Sequence, residues 1–142
     1  MFRAILFGLL IAAPALAEPR DEYVRRKTLE SIQGTWGVTN MAVAGMPAQP
    51  AALRGLGYRI EEDVVTQTWQ PEEAARLLLD VSGPVPKVEY TDRHGVQMVG
   101  IMQRIGDKVY VCLVEAGNEP PKTFQSTTDN KAVLLELSRP RR

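Results

Sequence analysis

The chain is short of the residues from which most catalytic and metal sites are built: of its 142 residues, one is cysteine, Cys112, and one is histidine, His94. A lone cysteine excludes an internal disulfide. A nucleophilic thiolate needs a neighbouring base or a positive field, whereas Cys112 lies within Val109-Tyr110-Val111-Cys112-Leu113-Val114, an unbroken apolar run. That setting is expected to hold a buried, inert thiol. His94 falls in Asp92-Arg93-His94-Gly95, which reads as an exposed turn between two strands of a hairpin. Zinc would need further His, Cys or carboxylate ligands at workable spacing, so neither a metal site nor a cofactor is expected.

An excess of one charge is also missing. Lysine and arginine number 17, as do aspartate and glutamate, and this balance argues against a nucleic-acid binder, which carries a basic face or stripe. The basic clusters Arg25-Arg26-Lys27 and Arg139 to Arg142 read as solvated ends. Glu61-Glu62-Asp63 and Glu72-Glu73 have no partner acid placed for glycosidase-type chemistry and read as solvated surface. There is no phosphate-binding glycine loop and no Gly-x-Ser-x-Gly nucleophile turn. The sequence therefore points away from an enzyme.

What is present begins with an export signal. Arg3 supplies a positive start, residues 4–13 form an apolar run, Pro14 breaks it, and Ala15-Leu16-Ala17 places small residues where a signal peptidase reads. The run is well short of the ~20 residues that span a bilayer, so no membrane anchor is expected after cleavage. Glu18-Pro19-Arg20 follow with no cysteine for a lipid. The expected organisation is a signal peptide at residues 1–17, a helical segment at 18–31 and one domain at 32–142, periplasmic or secreted. What remains after cleavage is enough for one domain with a real core and too little for two.

Residues 20–32 predict a short amphipathic helix with Tyr23, Leu29 and Ile32 as its apolar positions. Trp36 and Val38 share one face of the strand that follows. Residues 44–57 are loop-like, with one possible helical turn opened by Pro50. Tyr58 and Ile60 then alternate with Arg59 and Glu61, and Glu62-Asp63 reads as a hairpin turn into a second run at 64–69. Residues 72–80, EEAARLLLD, carry helical propensity between neighbours that read as strands. Further strands are expected at 87–91, 96–103, 108–114 and 132–138. Turns at this spacing, with few helices, predict an all-β fold, a small antiparallel barrel preceded by a short N-terminal helix.

Gln33-Gly34-Thr35-Trp36 looks like the Gly-x-Trp signature that opens the first strand of lipocalin-like barrels. Residues 32–139 more specifically resemble a lipocalin-like domain found in many copies in planctomycete bacteria, an uncharacterised family. Its Leu-Gln-Gly-Thr-Trp opening is matched by Ile32 to Trp36. Its glycine-to-cysteine strand pair is matched by Gly100, Gly106-Asp107, Val109 and Cys112, its Pro-x-x-Phe by Pro121 and Phe124, and its closing apolar strand with arginine by Leu134 to Arg139. The chain departs from the pattern at Met102, Ile105 and Pro120, where the family has tyrosine, an acidic residue and arginine. The resemblance implies a lipocalin-like barrel, and no reaction.

Trp36, a large aromatic early in the first strand followed by the small Gly37, is expected to plug one end of the barrel. The resemblance implies that Arg139 packs over its indole, as the last-strand arginine of such folds commonly does. Tyr58, Trp69, Tyr90, Met98, Met102 and Tyr110 are the candidate pocket-lining residues, being large or soft side chains on expected strands. A barrel of about eight strands can fill with side chains or hold one small ligand. Two expectations follow: a protein that binds a small apolar ligand or docks to an envelope protein, or a structural or protein-interaction domain with a solid core.

Overall fold

The computed structural model describes residues 19–140. The signal peptide expected at residues 1–17 lies outside the described residues, as do Glu18, Arg141 and Arg142. Helix α1 (Arg20–Ser31) comes first and is followed by the strands. These are β1 (Gly34–Val43), β2 (Met46–Pro47), β3 (Gly57–Glu61), β4 (Val64–Gln67) and β5 (Gln70–Asp80), then β6 (Lys87–Asp92), β7 (Gln97–Ile105), β8 (Lys108–Glu115) and β9 (Val133–Ser138). A short 3₁₀ turn, Pro50–Leu53, sits between β2 and β3 and buries Leu53.

Each strand pairs antiparallel with its neighbour from β3 to β9, and β1 pairs with both β3 and β9, so eight strands close into a ring. Strand β1 makes this closure by dividing its length. Gly34 to Gly37 pair with β3, while Gly37 to Val43 pair with β9, with an irregularity between Val38 and Asn40. A bulge of this kind bends and twists a strand, which lets β1 turn from one partner to the other. The two-residue β2 lies outside the ring on the end of β1.

The period-two pattern decides which side chains enter the barrel. Along β5, Ala75 and Leu79 are buried while Leu78 between them is 58% exposed. Residues 72–80 are thus a strand despite their helical propensity, because pairing with β4 on one side and β6 on the other satisfies their backbone. At Gly100, on β7, a Cβ would lie 1.8 Å from the Cys112 carbonyl oxygen of β8, so only glycine allows that approach.

Helix α1 buries none of its own residues. It is anchored at its C-terminal end, where Leu29 packs on the core and Ile32, just past the helix, is 1% exposed. Tyr23, expected on the apolar face, is instead 47% exposed and lies beneath the cations of Arg26 and Lys27. A second apolar cluster of Ile101, Cys112, Val114 and Ala132 sits on the outer face of the wall. The segment between β8 and β9 covers it with Phe124. Ser126 fastens that segment, its hydroxyl donating to the Ala132 carbonyl at 2.7 Å and accepting the Gly45 amide at 2.8 Å.

Candidate functional site

One end of the barrel is sealed. Trp36 is fully buried and its Nε1 donates to the Ile32 carbonyl at 2.8 Å. The Arg139 guanidinium lies 3.8 Å from the centre of the indole and donates to the Gln33 carbonyl at 2.6 Å. The two end-closing residues named from the sequence are therefore in contact. A second cation adds to them: Arg104 lies 5.7 Å from the same ring and donates to the Ser31 and Gly106 carbonyls. Burial, and then the charge of Arg104, lowers the pKa of Arg139, yet guanidinium stays charged in proteins. Gly34 makes room for the stack. It has φ +102°, and a Cβ there would lie 2.7 Å from Arg139 Nη1.

Behind this plug the barrel is hollow. A cavity of about 230 Å³ lies along its axis. Tyr58, Gln67, Leu77, Tyr90, Met98 and Met102 contribute to its lining, together with valine and leucine side chains from β8 and β9. Charged side chains do not contribute to the lining. The half-buried lining residues Tyr58, Gln67, Tyr90 and Met98 give access to the cavity and so mark its mouth; Tyr58 pairs in register with Gln67 on β4 and with Trp36 on β1. Four of the six residues named as pocket-lining, Tyr58, Tyr90, Met98 and Met102, are thus in the cavity wall.

The other two are not. Trp69 stands on the rim, 39% exposed, with its ring edge-on to Tyr58 at 5.6 Å between centroids. Tyr110 points out of the barrel, because Val109, Val111 and Leu113 occupy the inward positions of β8. Its ring meets Phe124 at 6.4 Å, and its hydroxyl donates to Glu136 at 3.3 Å. Gln67, a cavity residue, was not singled out from the sequence. Its strand register, opposite Tyr58 and in step with inward Val65, is the signal that identifies it.

Polar groups are few at the mouth. Burial, and then the neighbouring Tyr90, pushes the Tyr58 hydroxyl pKa up to about 12. Tyr90 is raised for the same first reason; a hydrogen bond from Gln67 partly offsets the rise, and the carboxylates of Asp92 and Glu73 add to it. Those carboxylates are engaged on the rim. Asp92 accepts the amides of His94 and Val96 at 2.9 Å each, and Glu73 pairs with Arg93 at 3.1 Å. The His94 imidazole is exposed on the turn, 4.0 Å from Glu73.

Cys112 is fully buried under Phe124 of the strap, the segment between β8 and β9, with its thiol directed at the Gln125 carbonyl. Desolvation raises its pKa, which keeps it a thiol at neutral pH. No group of three or more His, Cys, Asp or Glu placed to hold a metal ion occurs among the described residues. No helix among them is long and apolar enough to cross a membrane. Comparison with protein families, with curated proteins and with solved structures returns no match.

Proposed function

We propose that this chain is an exported, lipocalin-like binding protein that holds a small apolar ligand inside its barrel and catalyses no reaction. The observation that supports this reading is the apolar cavity of about 230 Å³ behind the Trp36 plug. An apolar cavity of about 150 Å³ stays dry and accepts benzene, while drug-sized ligands occupy pockets from about 300 Å³ upward. The barrel therefore suits a ligand between these limits. The export signal read in residues 1–17 of the sequence supports a periplasmic or secreted protein that begins at Glu18 after cleavage.

Toluene is a suitable probe, and the methionine methyl groups are the reporters. Titration followed by methyl NMR is expected to shift Met98 and Met102, which line the cavity, and to leave the 72% exposed Met46 unmoved. Unmoved Met98 and Met102 signals in toluene-saturated buffer would exclude ligand binding in the barrel and leave the solid-core reading. Mass spectrometry of the exported protein checks the other half: a chain retaining residues 1–17 would overturn cleavage after Ala17.

A further inference from the structure

The mouth of the cavity has a chemistry that goes beyond a preference for apolar molecules. The residues that line it are apolar except for three: Tyr58, Tyr90 and Gln67, all at the open end. Tyr90 and Gln67 interact with each other. The Tyr58 hydroxyl has no hydrogen-bond partner among the described residues, although its ring is held in place by Trp69. The hydroxyl still reaches water, since it is not among the fully buried unpartnered side-chain atoms; an apolar ligand that displaced this water would leave the hydroxyl unpaired, which is costly. The hydroxyl is therefore a point at which a ligand gains affinity by supplying one donor or acceptor.

The same mouth resists charge. No lysine, arginine or histidine lines the cavity to meet an anion, and the carboxylates whose charge acts on Tyr90, Asp92 and Glu73, would repel one. The upward push on both tyrosines has burial as its first cause, so the wall disfavours the ionised form of its own hydroxyls. An ammonium would be drawn to the rim carboxylates, but no carboxylate lines the interior to follow it inward. Charges buried without a partner carry a large desolvation cost.

We infer that the ligand is an uncharged molecule with an apolar body in the barrel and a single hydroxyl or carbonyl head placed between Tyr58 and the Tyr90–Gln67 pair. This rests on the reading that the cavity binds a ligand. The phenol, alcohol and ketone classes satisfy it; carboxylates, phosphates and amines do not. A hydroxyl head can donate to one of these groups and accept from another, whereas a pure hydrocarbon leaves the Tyr58 hydroxyl unpaired.

The experiment compares four probes of one shape on the folded protein by calorimetry at pH 7: toluene, p-cresol, p-toluate and 4-methylbenzylammonium. p-Cresol is expected to bind about tenfold more tightly than toluene, the ratio that one net hydrogen bond supplies, and the two ions are expected to give no heat. In Tyr58→Phe, which keeps the ring against Trp69, the ratio of p-cresol to toluene is expected to fall towards one. Because that ratio is taken on a single variant, a general loss of stability does not move it. Equal binding of toluene and p-cresol, an unchanged ratio in Tyr58→Phe, or binding of either ion as tightly as p-cresol would overturn the assignment of a neutral polar head while leaving the cavity reading intact. Failure of toluene and p-cresol alike would overturn both.

Discussion

Trp36 shows how a few side chains determine one end of the molecule. Its indole is fully buried, it is hydrogen-bonded to Ile32, and Arg139 covers its face at 3.8 Å. Removing it deletes a large buried side chain and leaves two cations without the ring they cover. Trp36→Ala is expected to cost about 3–5 kcal/mol, the range for large aromatic truncations in a core, read as a lower denaturation midpoint with an unchanged slope. The cation–π contact itself accounts for about 0.5–2 kcal/mol, so Arg139→Ala should cost less than Trp36→Ala. An equal or larger loss for Arg139→Ala would show that the salt-insensitive packing of the indole is not the main term. These two positions were legible in the sequence through the Gly-x-Trp opening and its resemblance to lipocalin-like barrels. Arg104 was not, because its contact depends on the hairpin of β7 and β8 turning back over the plug, which no local pattern records.

At the scale of elements, the seam between β1 and β9 is the pairing that turns a sheet into a barrel. Glu136 on β9 ties three strands there, facing outward. Its carboxylate accepts from Lys108 Nζ at 2.9 Å and from Tyr110 at 3.3 Å on β8, and from Asn40 and Thr39 on β1. The hydrogen bond from Lys108 first, and then that from Asn40, holds the Glu136 pKa below its ordinary value. A depressed carboxylate pKa contributes stability that is present above the unfolded-state value and lost as pH falls through the folded-state value. Lys108 is shifted upward by the same contact, so its share is present below the ordinary lysine value and lost as pH rises through the raised one. Glu136→Gln is expected to flatten the acid limb of the Tm-against-pH curve and to speed amide exchange in β1 and β9 more than in β4 and β5. An acid limb as steep as in the parent chain would mean that this carboxylate does not govern the seam.

Elements also show where the sequence misleads. Residues 72–80 carry helix formers, and local propensity is a weak prior that pairing on both edges overrides. Strand β8 misleads in another way. Alternation normally separates an inner face from an outer one, but here Val109, Val111 and Leu113 face the cavity while Cys112 and Val114 are buried under the strap. With both faces apolar, parity alone does not say which side is inside. Tyr110, a large side chain on this strand and so a pocket candidate from the sequence, belongs to the outer wall. The strap has no regular pattern of its own, and its cover over Cys112 becomes visible only once Phe124 is placed.

For the whole molecule, the hollow interior has a direct test in solution, and the strand register supplies it as a matched pair of substitutions. Val111 and Val114 lie on the same strand, both nearly buried, but on opposite faces: the first lines the cavity and the second packs with Cys112 outside it. Val111→Phe and Val114→Phe add the same atoms to the same element. In a close-packed interior, extra methylenes cost about 1–3 kcal/mol through strain, and that is the expectation for Val114→Phe beneath the strap. Val111→Phe instead projects its ring into about 230 Å³ of empty space, so its Tm should equal or exceed that of the parent. It should also abolish toluene binding, which Val114→Phe should retain. A comparable loss of Tm in both variants would mean that the interior is filled in solution and that the function lies on the outside of the barrel. A stable Val111→Phe that no longer binds toluene would locate the binding site within the ring of eight strands.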